Sequence, residues 1–126
     1  MAQNAAFLFA LLAGLVAVFQ VALIMGAPWG EFTLGGRWHG TLPVRARALP
    51  LASTLLLLVF AIVVVVRAGM AFNSLQPLAG RLAWVVVAFC AVGTVANAMT
   101  PSPRERMLWL PVASCMLALS LVVALS

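Results

Sequence analysis

Long apolar runs alternate with short polar breaks along this chain, and the runs are too long and unbroken for a soluble core. Residues 5–25 hold no charged side chain. A helix of that length, at about 1.5 Å per residue, crosses a hydrocarbon layer of about 30 Å. The pattern predicts four such helices, at about residues 5–26, 43–68, 77–99 and 103–125, joined by one polar loop at 26–43 and two shorter connectors. The fold class expected is all-α: a polytopic membrane protein whose four transmembrane helices form one antiparallel bundle.

Local chemistry sharpens the boundaries. Gly26 and Pro28 break helix one. Thr41 and Pro43 read as an N-cap region and first-turn proline for helix two, with a kink expected at Pro50. Arg67 and Gly69 end that helix, and Pro77 opens the next. Ser102, Pro103, Arg104 and Glu105 fit Ncap, N1, N2 and N3 of a capping box, which explains Glu105 as a cap. Pro111 marks a second kink. Ala6, Ala10, Gly14, Ala13 and Ala17 put small residues where another helix can approach closely in lipid. The run LLLLVFAIVVVV in helix two has no polar face, so much of its surface meets lipid.

Residues 26–43, GAPWGEFTLGGRWHGTLP, form the only long polar stretch. Glu31 to Leu34, then Gly35-Gly36, then Arg37 to Gly40 predicts a β-hairpin, because two glycines supply the positive φ of a primed turn. In that register Leu34 faces Arg37, Thr33 faces Trp38 and Phe32 faces His39. A lone hairpin needs something to pack on, and the membrane end of the bundle supplies it.

Composition agrees: 66% of the residues are apolar, 7% are charged and the mean hydropathy is +1.21. The net charge of +5 comes from seven arginines with no lysine, spread over helix ends instead of one basic face. That argues for membrane orientation and against a nucleic-acid partner. The first loop and third connector carry five arginines (Arg37, Arg45, Arg47, Arg104, Arg106) and the second connector two (Arg67, Arg81). By the positive-inside rule the first and third loops face the cytoplasm and the termini lie outside. Cys90 and Cys115 sit in apolar runs without a CxxC, so no disulfide framework is implied.

Polar groups in a bilayer are costly and often functional. Gln20, Ser53, Thr54, Thr94, Asn97, Ser114 and Cys115 all fall within a few turns of one membrane face, with Trp29, Glu31, Arg37, Trp38, His39 and Trp109 above them. Two readings compete. In one, the helices enclose a partly polar cavity in half of the membrane, covered by the 26–43 loop, and Gln20, Trp29, Glu31, Arg37, Trp38, His39, Asn97 and Trp109 contact its ligand. In the other, Gln20, Thr94 and Asn97 bond helix to helix and the tryptophans form an ordinary interfacial belt. His39 is the sole histidine, so no metal site is implied. No phosphate-binding glycine pattern occurs, no cofactor is called for, and no nucleophile, base and orienting group come together, which argues against an enzyme.

The stretches GAPWGEFTLGGRWHGTLP and NAMTPSPRERMLWLP resemble a group of small, functionally uncharacterised bacterial inner-membrane proteins with four spans. The likeness covers nearly the whole chain: a G-x-P-W-G-x-x-x-L-G-G loop, an L-P-x-R opening to helix two, and a T-P-S-x-x-E-R turn before helix four. It implies four spans and a bacterial cytoplasmic membrane, and it carries no activity. The expected function is that of an integral membrane binding or accessory protein, holding a lipid or small hydrophobic ligand beneath the 26–43 loop. Expected partners are membrane lipids and either another copy of the chain or a larger membrane protein. The alternative is a small dimeric transporter, against which stands the lack of an ionisable residue deep in any span.

Overall fold

The computed structural model describes residues 1–32 and 40–126, with the main chain alone at Glu31. Four long helices dominate: α1 Ala2–Ile24, α2 Ala48–Arg67, α3 Gln76–Met99 and α4 Pro103–Leu125. Each is long and apolar enough to cross a membrane. They form a ring in chain order, with α1 packed on α2 and α4, and α3 packed on α2 and α4. The first and third connectors therefore share one end of the bundle.

Small side chains set the closest packing. Ala5, Ala6, Ala13 and Ala17 are buried along α1, and Phe9 beside them is fully enclosed. Gly14, grouped with them in the sequence pattern, instead faces open space. Phe9 joins Leu57, Phe60, Val64, Val86, Cys90, Met116 and Val123 in one apolar core. Phe60 meets Phe89 edge to face at 4.9 Å between ring centroids. On the outside of α2, Leu55, Leu56, Leu58, Val59 and Ile62 are all exposed. A water-soluble protein would not leave such a surface bare, whereas lipid tails solvate it. Because lipid is as apolar as leucine, close packing and hydrogen bonds, more than hydrophobic burial, must hold the spans together.

The helix ends are closed with care. Gly26, at φ +103°, follows α1 in the left-handed region. There its N–H bonds the Leu23 carbonyl at 3.2 Å while the Ala27 N–H reaches Ala22 at 2.9 Å. Gly69, at φ +80°, repeats the arrangement after α2, with Gly69 on Val66 at 3.0 Å and Met70 on Val65 at 3.2 Å. Both are Schellman closures, and a glycine takes the left-handed position at no steric cost. At α4 the Ser102 hydroxyl accepts from the Glu105 N–H at 3.2 Å, with Pro103 following as the capping pattern requires.

Three expectations change. Glu31 and Phe32, expected in a hairpin strand, instead lie in one 3₁₀ turn, Gly30–Phe32, with the Phe32 N–H on the Trp29 carbonyl at 3.0 Å. That turn satisfies its backbone locally, where an isolated two-stranded ribbon would leave an unpaired edge. The rest of the expected hairpin, residues 33–39, lies outside the described residues, and no strand occurs among those described. Second, Thr41 does not cap helix two; its hydroxyl donates to the Gly26 carbonyl at 3.2 Å. The chain enters through a 3₁₀ turn, Val44–Arg47, before α2 begins. Third, Pro50 falls in the first turn of α2, where a missing N–H denies no helical bond, so the reason for a kink there disappears. Pro111 does lie inside α4, which continues past it.

Arg47 ties these pieces together. Its Nε donates to the Leu42 carbonyl at 3.0 Å and a terminal nitrogen to the Ile24 carbonyl at 3.3 Å, so one guanidinium joins the end of α1 to the start of α2. Replacing it by leucine removes two charge-assisted bonds and should cost about 1–2 kcal/mol. The measurement is thermal unfolding in nanodiscs. The exposed Arg45, which makes no such bond among the described residues, is the control, and Arg45→Leu should leave the midpoint nearly unchanged.

Candidate functional site

The interior of the ring is not filled to its end. A cavity of about 240 Å³ lies among all four spans, on the side of the first and third connectors. Regular helical spacing delivers its lining: Phe9, Val16 and Gln20 from α1, Ser53, Leu57 and Phe60 from α2, Cys90, Gly93 and Asn97 from α3, and Glu105, Trp109, Val112 and Met116 from α4. Steps of three, four and seven keep each set on one face of its helix. Small residues make the room. A Cβ added at Gly93 would meet nothing within 4 Å, and Ala113 and Ser53 are short on the neighbouring walls.

The cavity has a polar mouth and an apolar floor. Gln20 Nε2 donates to Ser53 Oγ at 3.2 Å, linking α1 to α2, while Gln20 Oε1 is buried without a partner. Asn97 Nδ2 donates to the Gly93 carbonyl at 2.7 Å. The Thr94 hydroxyl likewise turns to the Cys90 carbonyl of its own helix, at 2.8 Å. Of the three side chains considered as helix-to-helix bonds, Gln20 alone crosses between spans among the described residues. The Glu105 carboxylate accepts from the Thr100 hydroxyl at 3.2 Å. Below this level the lining is Phe9, Leu57, Phe60, Phe89, Cys90 and Met116.

Aromatic rings close the mouth. Phe19 packs edge to face on Trp109 at 4.8 Å and stacks on Trp29 at 5.8 Å with the planes 10° apart. The Trp109 indole donates to the Phe32 carbonyl at 2.6 Å, seating the 3₁₀ turn on α4. The Gly30 N–H bonds the Gly40 carbonyl at 2.8 Å, so the two described ends of the loop meet.

Gln20, Asn97 and Trp109 thus share one lining. Trp29 stands over the mouth on Phe19, 44% exposed, and is not part of the wall. The Glu31 side chain and all of Arg37, Trp38 and His39 lie outside the described residues. Sequence reasoning placed Glu105 in a cap alone, yet it caps and lines the cavity at once. The signal was present: Glu105, Trp109, Val112 and Met116 recur at helical spacing. Cys90 lines the cavity whereas Cys115 is exposed on the outside of α4. Among the described residues, no three His, Cys, Asp or Glu side chains gather to hold a metal.

No protein-family model, curated protein or solved structure matches this chain. The geometry of the cavity is therefore the basis for any functional reading.

Trp109→Phe keeps a ring against Phe19 and removes the indole donor. A lost neutral hydrogen bond of this kind is worth about 1 kcal/mol. Amide exchange at residues 30–32 should therefore rise about fivefold, with exchange in the middle of the four helices unchanged.

Proposed function

We propose that this protein is an integral membrane binding or accessory protein whose four-helix bundle holds a small hydrophobic ligand, or one acyl chain of a lipid, beneath the loop at residues 26–43. The observation that carries the reading is the cavity among all four spans, apolar in its depth and lined at its mouth by Gln20, Ser53, Asn97 and Glu105. Ligand sites are typically concave, mostly apolar and equipped with a few polar groups that fix orientation. At about 240 Å³ the cavity falls just below the usual ~300–1,000 Å³ for drug-sized ligands. The volume supports one chain or a small molecule over a complete two-chain lipid. The work is binding and presentation, not catalysis, with membrane lipids, another copy or a larger membrane protein as partners.

Gly93 offers a test that separates binding from stability. Gly93→Leu places a side chain into open space and adds a better helix former. Its unfolding midpoint in nanodiscs should hold or rise, while native mass spectrometry should show loss of the molecule that co-purifies with the wild type. Equal retention by both proteins would refute the reading.

The transporter alternative draws support from Glu105, a titratable group on the cavity wall. Substrate-dependent proton flux into proteoliposomes, abolished in Glu105→Gln, would favour it. The position of Glu105 in the first turn of α4, not deep in the span, supports binding first.

The setting we infer is a bacterial cytoplasmic membrane, with the first and third connectors inside and the termini outside, supported by the five-to-two division of arginines between the bundle's ends. In a chain whose own two cysteines are replaced by alanine, Asn73→Cys should react with a membrane-impermeant maleimide added to intact cells. Pro101→Cys should react only after the membrane is opened. The reverse pattern would invert the topology.

A further inference from the structure

We propose that the ligand is an uncharged single-chain amphiphile with a hydroxyl or primary-amide head, seated with its head among Gln20, Ser53 and Asn97 and its chain along Phe9, Phe60 and Met116. This deepens the binding reading above and rests on it.

The hydrogen bonds of the mouth carry the argument. Gln20 spends one amide atom on Ser53 and leaves Oε1 buried without a partner. Turning that amide over pairs its oxygen with the Ser53 hydroxyl and leaves the NH₂ group unspent instead, so either orientation presents one idle polar group. Asn97 spends its NH₂ group on the Gly93 carbonyl, and its carbonyl oxygen, which the protein does not enclose, stays open to accept. Buried polar groups without partners are rare because each forfeits its hydration. A head that both donates and accepts, as a hydroxyl or primary amide does, completes Gln20, Ser53 and Asn97 together. An alkane completes none of them.

Charge narrows the choice. Among the described lining residues there is no lysine, arginine or histidine to meet a phosphate or carboxylate, and the nearest full charge is the carboxylate of Glu105. An anionic head would have to leave water without meeting a cation on the described wall, a large desolvation cost. An ammonium head seated at Gln20, Ser53 and Asn97 would leave water for neutral groups, a large desolvation cost, because the Glu105 carboxylate is already engaged by Thr100 at the cap. The volume of about 240 Å³ admits one chain beneath the head. The floor of Phe9, Phe60, Phe89 and Met116 has no polar side chain to satisfy, as an alkyl chain requires.

The experiment offers three probes of equal chain length to the full protein in phosphatidylcholine nanodiscs: 1-monododecanoylglycerol, dodecanoate at pH 8 and dodecylammonium. Native mass spectrometry after release counts retained probe. The neutral glyceride should remain bound one to one, at least about tenfold above either charged probe at equal concentration. Gln20→Leu, Asn97→Leu and the milder Ser53→Ala should each lower its retention about tenfold, the usual scale of one unpaired polar group. Equal retention of all three probes, or glyceride binding untouched by these variants, overturns the head-group assignment; preference for dodecylammonium overturns it in favour of Glu105 as the ligand group. The Gly93→Leu protein separates the two levels. If it loses every probe while the head-group variants change nothing, the cavity reading stands and this inference fails. If it retains the glyceride like the wild type, both fail.

Discussion

A helix that stops at the edge of a bilayer leaves its last carbonyls without donors, where water is scarce and each unpaired group is costly. The ends of this bundle are organised around that constraint. After α1, Gly26 and Ala27 return to Leu23 and Ala22, and Arg47 reaches across to Ile24. After α2, Gly69 and Met70 close the turn, and the Gln76 amide donates to the carbonyls of Val66 and Arg67. After α3, Arg106 donates to the Thr100 carbonyl at 3.3 Å. In each case a side-chain donor, Arg47, Gln76 or Arg106, belongs to the next helix or its approach, so satisfying the end of one span also fixes the start of the following one. Antiparallel neighbours and the ring of four follow from those short, pinned connections.

The same arginines serve two physical demands. As fixed positive charges they bias topology, which is a property of counts and positions and can be read from the chain. As hydrogen-bond donors they cap particular carbonyls, which depends on where the backbone turns. Spans, closing glycines and the Ser102 cap were legible because each rests on local chemistry: uninterrupted apolar length, a left-handed glycine, a serine three residues before Glu105. The approach to α2 was not, because Thr41, Pro43 and Pro50 are each compatible with several starts. What decided among them was tertiary: the bonds of Thr41 to Gly26 and of Arg47 to Ile24 lie 15 and 23 residues apart in sequence. Likewise the glycine-based turn signal said nothing of the Trp109 indole, 77 residues from the Phe32 carbonyl that it holds.

The polar residues near one membrane face were legible as a group, but their division of labour was not. Gln20 and Asn97 were candidates either for helix contacts or for a cavity, and the structure gives Gln20 both roles while Asn97 bonds its own helix. Glu105 was read from the sequence as a cap because that pattern explained it fully. A residue that satisfies one local rule can still face a shared interior, and only the recurrence of Trp109, Val112 and Met116 behind it shows this. Local explanation was sufficient there without being exclusive.

Why the space sits at this end follows from side-chain volume. Toward the other end α2 and α4 turn Val63, Val64 and Val123 inward, and the buried alanines Ala5, Ala6, Ala79 and Ala83 of α1 and α3 let those spans close onto them, so the interior is filled. Near the first and third connectors the facing positions are Ser53, Gly93 and Ala113, three short residues on three different spans, beside rings at Phe19 and Trp109 that hold the walls apart. In water, collapse around so much missing volume would be favoured by burial of apolar surface. Within lipid that pressure between helices is absent, because tails solvate the outer faces as well as protein does. A void there persists when something occupies it or when rigid side chains prop it open. The aromatic cluster supplies the props, and the buried, unpartnered amide oxygen of Gln20 is the feature of the wall that packing alone does not require.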